Sequence, residues 1–387
     1  MLEWKLIRLG DICKTNKNSY YPKDNWKFVN YLDTGSLTEN KITELQYINT
    51  KTDKMPSRAR RKVIKNSILY STVRPNQLHY GIIKEPVDNL LVSTGFTVID
   101  VDTNKAIPEF IYYLLIQNNT TEQLQAIAEQ SVSTYPSIKP SDIENLEFKL
   151  PNLIIQSKIV SILDTIDSKI RQNEKINNNL EQQAQAIYQQ MFIDNASLEW
   201  TEGTLSDIAD ITMGQSPSGS SYNEDGNGTI FFQGRAEFSF RFPTVRLFTT
   251  EPKRMACAND TLMSVRAPVG DLNVAYTDCC IGRGLAAIHS KDNHQSFVLY
   301  TMFSLKKQLN VFNGEGTVFG SINRNSLNEM PILIPSSEKL DEFEALTSPM
   351  NAAIRNNYDE ICRLEQLRDS LLPKLMSGEL DVSDIDL

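Results

Sequence analysis

The chain has 387 residues, 40% of them hydrophobic and 22% charged, with a formal net charge of −9. That length exceeds one ordinary core and predicts two or more domains. No run approaches the roughly 18 apolar residues of a membrane-spanning helix, and the acidic balance leaves any nucleic-acid binding to local basic patches. The N-terminal stretch MLEWKLIRLGDICK has no signal-peptide core, so a cytoplasmic location with no membrane association is expected. Cys13, Cys257, Cys279, Cys280 and Cys362 are odd in number and lack CxxC spacing. Reduced thiols are expected rather than disulfides or zinc, with Cys279-Cys280 in a buried strand.

In chain order, residues 1–150 form a first globular unit. Trp4-x4-Leu9 leads into Gly10-Asp11-Ile12. Strand-like stretches follow at Trp26–Leu32, Val63–Val73, Tyr80–Ile83 and Leu90–Val101, separated by Asn, Asp, Gly and Pro clusters. Between them, Lys54–Lys65 holds six basic residues and no acid. Pro108–Gln130 reads as two helices divided at Asn118–Thr121, and Leu146–Leu150 closes the unit as a strand.

Residues 151–194 read as one long helix. Ile159, Leu163, Ile166, Ile170, Asn173, Asn177, Leu180, Ala184, Ile187 and Met191 alternate by four and three, a spacing of 3.5 that marks a coiled-coil seam. No Gly or Pro interrupts the helix, whose length would be roughly 55 Å. So narrow a stripe requires a partner.

Residues 195–335 form a second unit that repeats the first. Trp200-x4-Leu205-Ser206-Asp207-Ile208 matches the opening at an offset of 196, and Ser321-Ile322 matches Ser137-Ile138 at 184. Gly284 matches Gly95. Ser264–Pro268 resembles Ser71–Pro75 with a one-residue shift that aligns Arg266 with Arg74. Residues 336–380 then supply the partner helix: at the same offset of 184 the seam recurs as Phe343, Thr347, Met350, Ile354, Asn357, Ile361, Leu364, Arg368, Leu371 and Leu375. Asn173 falls on Asn357, and a polar Asn in a seam fixes register. Residues 381–387 are an acidic tail. The fold class expected is α+β: two mixed domains separated by two long antiparallel helices in an internal pseudo-twofold repeat.

Catalytic chemistry is sparse. There is no P-loop, no dinucleotide fingerprint and no methyltransferase signature. Gly314-Glu315-Gly316-x3-Gly320 reads as a loop. Asp142, Glu147 and Lys149 imitate a metal-nuclease set only superficially, and His79, His289 and His294 fit no triad or metal spacing. Tyr222–Gly228 lacks the acid that closes a calcium loop. No catalytic residue and no metal ligand is assigned. Nucleic-acid binding fares better. Arg58, Arg60, Arg61 and Lys62 suit phosphates, and an Arg fork suits guanine. Ser216 and Ser218 lie in a Gly-Gln-Ser-Pro-Ser-Gly turn, Gln233 and Arg235 follow, and Arg241, Arg246, Lys253 and Arg254 add local positive charge, although on these residues alone a solvated basic face is the stronger reading. Arg74 and Arg266 are either DNA contacts or structural ions.

Several segments together resemble the DNA-specificity (S) subunits of type I restriction-modification systems. They are Met213–Gly219, Ser264–Asp271, Ile281–Ala286, the proline-led helix entrance Leu150–Asp164, and the closing Leu371–Leu380. The resemblance covers nearly the whole chain, though Asn16–Ser19 replaces the Gly-Ser-Pro-type turn in the first unit. It implies two target-recognition domains, each reading half of a bipartite duplex-DNA site, with the helices as spacer. It also implies a chain that catalyses nothing itself. Two methyltransferase subunits would dock on it and bring S-adenosylmethionine, joined by restriction subunits with ATP and Mg. The helix faces bearing Gln182, Gln183, Gln185 and Gln189 are expected docking surface. The alternative is a coiled-coil adaptor with paired protein-binding heads.

Overall fold

The computed structural model describes residues 4–131, 135–314 and 320–385. The Gly-rich stretch from Gly314 falls mostly outside them. Two compact units emerge: Met1–Arg171 with Ile361–Leu387, and Gln172–Glu360. The boundary runs through both long helices, so each unit contains part of each.

In the first unit, four antiparallel strands stand in the order Cys13–Thr15, Phe96–Val101, Ser67–Ser71, Tyr80–Ile83. A second sheet orders Gln46–Asn49, Phe28–Leu32, Leu90–Ser93 and Ala59–Lys62, its middle pair parallel. Lys5–Arg8 pairs with Glu147–Leu150 and ties the two ends of the unit together. The expected strand Leu90–Val101 is two strands, because the chain turns at Thr94-Gly95 and crosses from one sheet to the other. Ala59–Lys62 was not expected as a strand: Ala-Arg-Arg-Lys has no apolar alternation, and its conformation comes from pairing with Leu91 and Val92. Pro108 opens the first of two helices, Pro108–Leu115 and Asn118–Glu129, where its fixed φ suits the first turn. The core joins Leu9, Ile68, Phe110 and Leu124 to Ile155, Ile159 and Leu163 of one long helix and Leu372, Leu375 and Met376 of the other. Burying such a side chain contributes about 1.5–3 kcal/mol.

The second unit repeats this plan, with one more strand at the edge of its mixed sheet. Thr201–Thr204 pairs with Pro331–Ile334, and Ala209–Met213, Leu285–Ser290, Thr261–Ser264 and Leu272–Val274 form the antiparallel sheet. The mixed sheet orders Tyr222–Asn223, Leu247–Thr249, Thr229–Phe232, Cys279–Ile281 and Met255–Ala256, again with a parallel pair. Cys279 and Cys280 are both fully buried in their strand, as expected.

Backbone hydrogen bonds fix how the repeats superpose. Thr72 N–H donates to the Gly95 carbonyl (2.8 Å) as Val265 does to Gly284 (2.9 Å), and Ile138 donates to Thr72 as Ile322 does to Val265. Val73 bridges Ser137 as Arg266 bridges Ser321. Gly95 therefore matches Gly284, as expected, but Arg266 corresponds to Val73 and Arg74 to Ala267. The one-residue shift that aligned the two arginines is not taken, because the ladder on either side leaves no extra residue.

The long helices span Leu153–Tyr188 and Ser337–Ser377. Ile159, Leu163, Ile166, Ile170, Asn173 and Ile354 are buried in the seam, whereas Leu180, Ile187, Asn357, Ile361, Leu364 and Leu371 are half-buried. Past Ala184 the buried positions become Tyr188 and Phe192 rather than Ile187 and Met191. There the helix packs on a globular core: Tyr188 lies 5.8 Å from Phe297 and Phe192 5.1 Å from Phe343 between ring centres. The constraint of a single partner helix lapses, and a π-turn at Gln189–Asp194 completes the rotation. Similarly, Leu372 rather than Leu371 is buried at the end of the second helix.

Asn173 and Asn357 do not pair with each other. Asn173 donates to Glu360 Oε2 (2.7 Å), and Asn357 donates to Asn177 Oδ1 (2.8 Å). Partner numbers fall as the first helix advances, which makes the pair antiparallel. The polar layer has four members where the sequence offset singled out two. Each unit also anchors its long helix by a tyrosine hydroxyl: Tyr113 donates to Asp167 (2.6 Å) and Tyr300 to Asn351 (3.0 Å), at repeat-equivalent helix positions.

Candidate nucleic-acid interface

In the second unit, Thr229–Phe232 and Cys279–Ile281 run parallel and end together. They deliver Gln233-Gly234-Arg235 and Gly282-Arg283-Gly284 side by side. Gly282 N–H donates to the Phe232 carbonyl (2.8 Å), and Gln215 N–H to Ile281 (3.0 Å). A Cβ on Gly282 would stand 2.8 Å from the Gln233 carbonyl oxygen, one on Gly284 3.0 Å from it, and one on Gly214 would collide with the Gly282 carbonyl. The glycines thus permit three backbones to meet in a space that admits no side chain. The third wall is the turn after Thr261–Ser264, held by Ser264 Oγ, which donates to the Pro268 carbonyl (2.6 Å) and accepts from Asp271 N–H (2.9 Å).

The result is a cleft of about 240 Å³ lined by Ser216, Gln233, Arg235, Arg266 and Arg283, among others. Four residues singled out in the sequence, Ser216, Gln233, Arg235 and Arg266, meet here. Ser218 does not: it is exposed, and its hydroxyl lies 2.8 Å from that of Ser220. Arg235 is paired to Asp271 (2.9 Å), whose other oxygen holds Lys306 (2.6 Å). Arg266 and Arg283 are exposed and have no ion pair among the described residues. Arg283 was not singled out. Its signal, one arginine between two glycines, becomes meaningful only once those glycines are seen packed against Gln233.

Of the surrounding basic residues, Arg241 is not surface charge. It is 5% exposed, lies 3.4 Å from Glu181, and donates toward Tyr300 Oη (3.3 Å) and Asn351 Oδ1 (3.4 Å). Arg246 is paired with Glu224 and Glu237. Lys253 and Arg254 remain exposed, leading into the edge strand Met255–Ala256.

The first unit carries its basic residues on the corresponding edge. Arg60, Arg61 and Lys62 lie on Ala59–Lys62, and Arg58 immediately precedes it. Leu91 faces Lys62 and Val92 faces Arg61, while Cys280 faces Met255. Because Leu91 and Val92 correspond to Cys280 and Ile281, Arg254, which immediately precedes its edge strand and whose carbonyl accepts from Ile281 N–H (2.9 Å), takes the place of Arg61. Arg58 and Arg60 are exposed and Arg61 is half-buried. Lys62 pairs with Asp24 (3.0 Å) above the Trp26 ring. The Tyr21 backbone N–H and then Lys62 hold the Asp24 carboxyl below the usual range. Beside Arg60 a recess of about 330 Å³ is walled by Tyr20, Trp26, Met55 and Pro56. Arg74 stands apart from this strand, its guanidinium 4.9 Å from the centre of the Tyr135 ring.

Three of the groups weighed for catalysis make structural contacts. Asp142 accepts from Lys139 N–H, His79 Nδ1 contacts the Leu37 carbonyl, and His289 contacts Asp260. Burial pushes the Cys13 and Cys279 thiols up to about 12, which removes them as nucleophiles.

The profile of the family described as type I restriction modification DNA specificity domain matches residues 1–182 and 197–356. The specificity subunit of the HindI type I restriction enzyme of Haemophilus influenzae is 26% identical, over 98% of this chain and 100% of that protein. The MjaIX specificity subunit of Methanocaldococcus jannaschii is 24% identical, over 98% and 94%. Among solved structures, the S subunit of a type I restriction-modification system from M. genitalium is 15% identical, over 97% and 96%, with a TM-score of 0.60, a likeness of fold.

Proposed function

The chain belongs to the type I restriction-modification DNA-specificity family, and from that premise we propose that each unit reads one half of a bipartite duplex-DNA site. The observation that carries this reading is the duplicated basic edge. Arg61 on its edge strand and Arg254 at the start of the equivalent one take matching places, and in the second unit the turn beside them carries the exposed Gln233 and Arg283. Phosphate contacts along that edge set register, and the cleft supplies base contacts. The long helices set the separation of the half-sites and offer Gln182, Gln183 and Gln189, all exposed, to two methyltransferase subunits.

The chain contributes recognition and no catalytic group. S-adenosylmethionine, ATP and Mg belong to methyltransferase and restriction partners, and the complex acts in the cytoplasm. A net charge of −9 fits this division of labour, because partner subunits then share the phosphate contacts and the counterion release that drives affinity. An adaptor with protein-binding heads has no need of a basic edge repeated at the same register. The test is to exchange residues 1–150 for those of a related chain, assemble the methyltransferase and map methylated sites. One half of the recognised sequence changes and the other stays; two unchanged halves overturn the reading.

A further inference from the structure

The two units share a backbone but place different side chains around the same turns. We propose that the second unit reads guanine through Arg266 and Arg283, and that in the first unit Asp33, at the place of Gln233, accepts from a base amine. This rests on the half-site reading above and specifies which base class each half presents.

The correspondence follows from hydrogen-bond register. Tyr31 and Leu32 face Leu91 and Val92 as Phe231 and Phe232 face Cys280 and Ile281. Continuing one residue past each strand, Asp33 takes the place of Gln233. Thr94, one residue before Gly95, takes the place of Arg283. Val73 takes the place of Arg266, from the bridges to Ser137 and Ser321. In the second unit these places carry two exposed guanidinium groups with no ion pair among the described residues, and an exposed amide at Gln233. An unpaired guanidinium has its planar fork available for the two acceptors of guanine, O6 and N7. Arg235 differs: Asp271 already occupies its fork at 2.9 Å, so it positions rather than reads. In the first unit, Val73 and Thr94 carry no guanidinium at those two places, and the arginine alongside is the exposed Arg58, whose carbonyl accepts from Thr94 N–H (2.9 Å). Asp33, half-buried, accepts from the Tyr31 hydroxyl (2.7 Å), which fixes the carboxylate while its second oxygen remains to accept from a base amine. The recognised sequence therefore carries guanine in the second-unit half and an amine-bearing base, cytosine or adenine, opposite Asp33.

The experiment uses the assembled methyltransferase complex on a library of randomised half-sites, with methylation read by sequencing. In the wild type, guanine is fixed in the half that stays unchanged when residues 1–150 are exchanged. Arg283→Lys and Arg266→Lys keep the charge but lose the fork. Each should raise methylation of guanine-substituted sites about tenfold relative to the parent site, in that half alone. Asp33→Asn should relax the other half only. A second-unit half without guanine in the wild type, measured before any variant is made, overturns the inference. So does a uniform fall in methylation across all sequences in both lysine variants, which would mark phosphate contacts. If exchange of residues 1–150 alters neither half, the half-site reading itself fails.

Discussion

At Glu181, burial works against ionisation. The side chain is 15% exposed and lies 3.4 Å from Arg241, yet the facing oxygen makes no hydrogen bond. Burial raises its pKa, and the attraction of Arg241 only partly offsets this. The folded state therefore holds the proton more tightly than the unfolded chain. Its stabilising contribution is complete below the unfolded value of about 4.3 and is lost as pH rises through the folded one. Denaturation curves of the wild type and Glu181→Gln should shift against each other, the wild type losing ground as pH rises above the unfolded carboxylate value; a pH-independent difference would contradict this. Gly214 makes a second case. Its backbone passes so close to the Gly282 carbonyl that Gly214→Ala must move one strand end or the other. A loss of about 1–3 kcal/mol is expected, with a lowered melting temperature, while Gly219→Ala, with open space around it, should be nearly silent.

The long helices illustrate how local rules yield to packing. The second helix continues through Pro349 and Pro373. Proline at 349 lacks the N–H that would reach the Ala345 carbonyl, and its side chain is exposed. Pro349→Ala should stabilise by about 1–3 kcal/mol in denaturant titration; destabilisation would mean that Thr347 and Met350 need the proline geometry for their packing. In the polar layer, Asn177→Leu removes the acceptor of the Asn357 amide, and a cost of about 1–3 kcal/mol is expected. The double change Asn177→Leu with Asn357→Leu should recover that loss while weakening register, since an apolar seam no longer distinguishes one pairing from its neighbours. Cysteine crosslinking between the helices reads register directly: several crosslinked pairs are expected in the double variant and one in the wild type.

Across the whole molecule, the first unit is discontinuous in sequence. Its core takes Leu372, Leu375, Met376 and Val382 from the far end of the chain, and Gly378, at φ +77°, ends the helix against the Trp4 indole. Truncation after Glu360 should therefore unfold the first unit rather than merely shorten a helix. Limited proteolysis should then cut within residues 4–131 first, leaving the second unit protected. Early cleavage in the second unit would show that the contact boundary does not mark cooperative units.

The sequence alone determined the order of parts, because periodicity and repetition are local or one-dimensional. The 3.5-residue stripe required a paired helix, the offset of 184 located its partner, and the repeated Trp-x4-Leu opening and the pair Gly95 and Gly284 marked two copies of one unit. The resemblance to type I specificity subunits followed from motifs legible in the same way. Only the tertiary structure decided which residues meet. Side-chain identity does not reveal hydrogen-bond register, so Arg74 was set against Arg266 until the backbone bonds to Gly95 and Gly284 separated them. Nor does it reveal burial: Arg241 and Arg246 read as surface charge but are ion-paired, Arg241 in the interior. Arg283, not singled out in the sequence, reaches the cleft because three glycines let three backbones converge. Which arginines are free to read a base depends on where the acids fall in space, and residues far apart in the chain, such as Arg235 and Asp271, settle that only when folded.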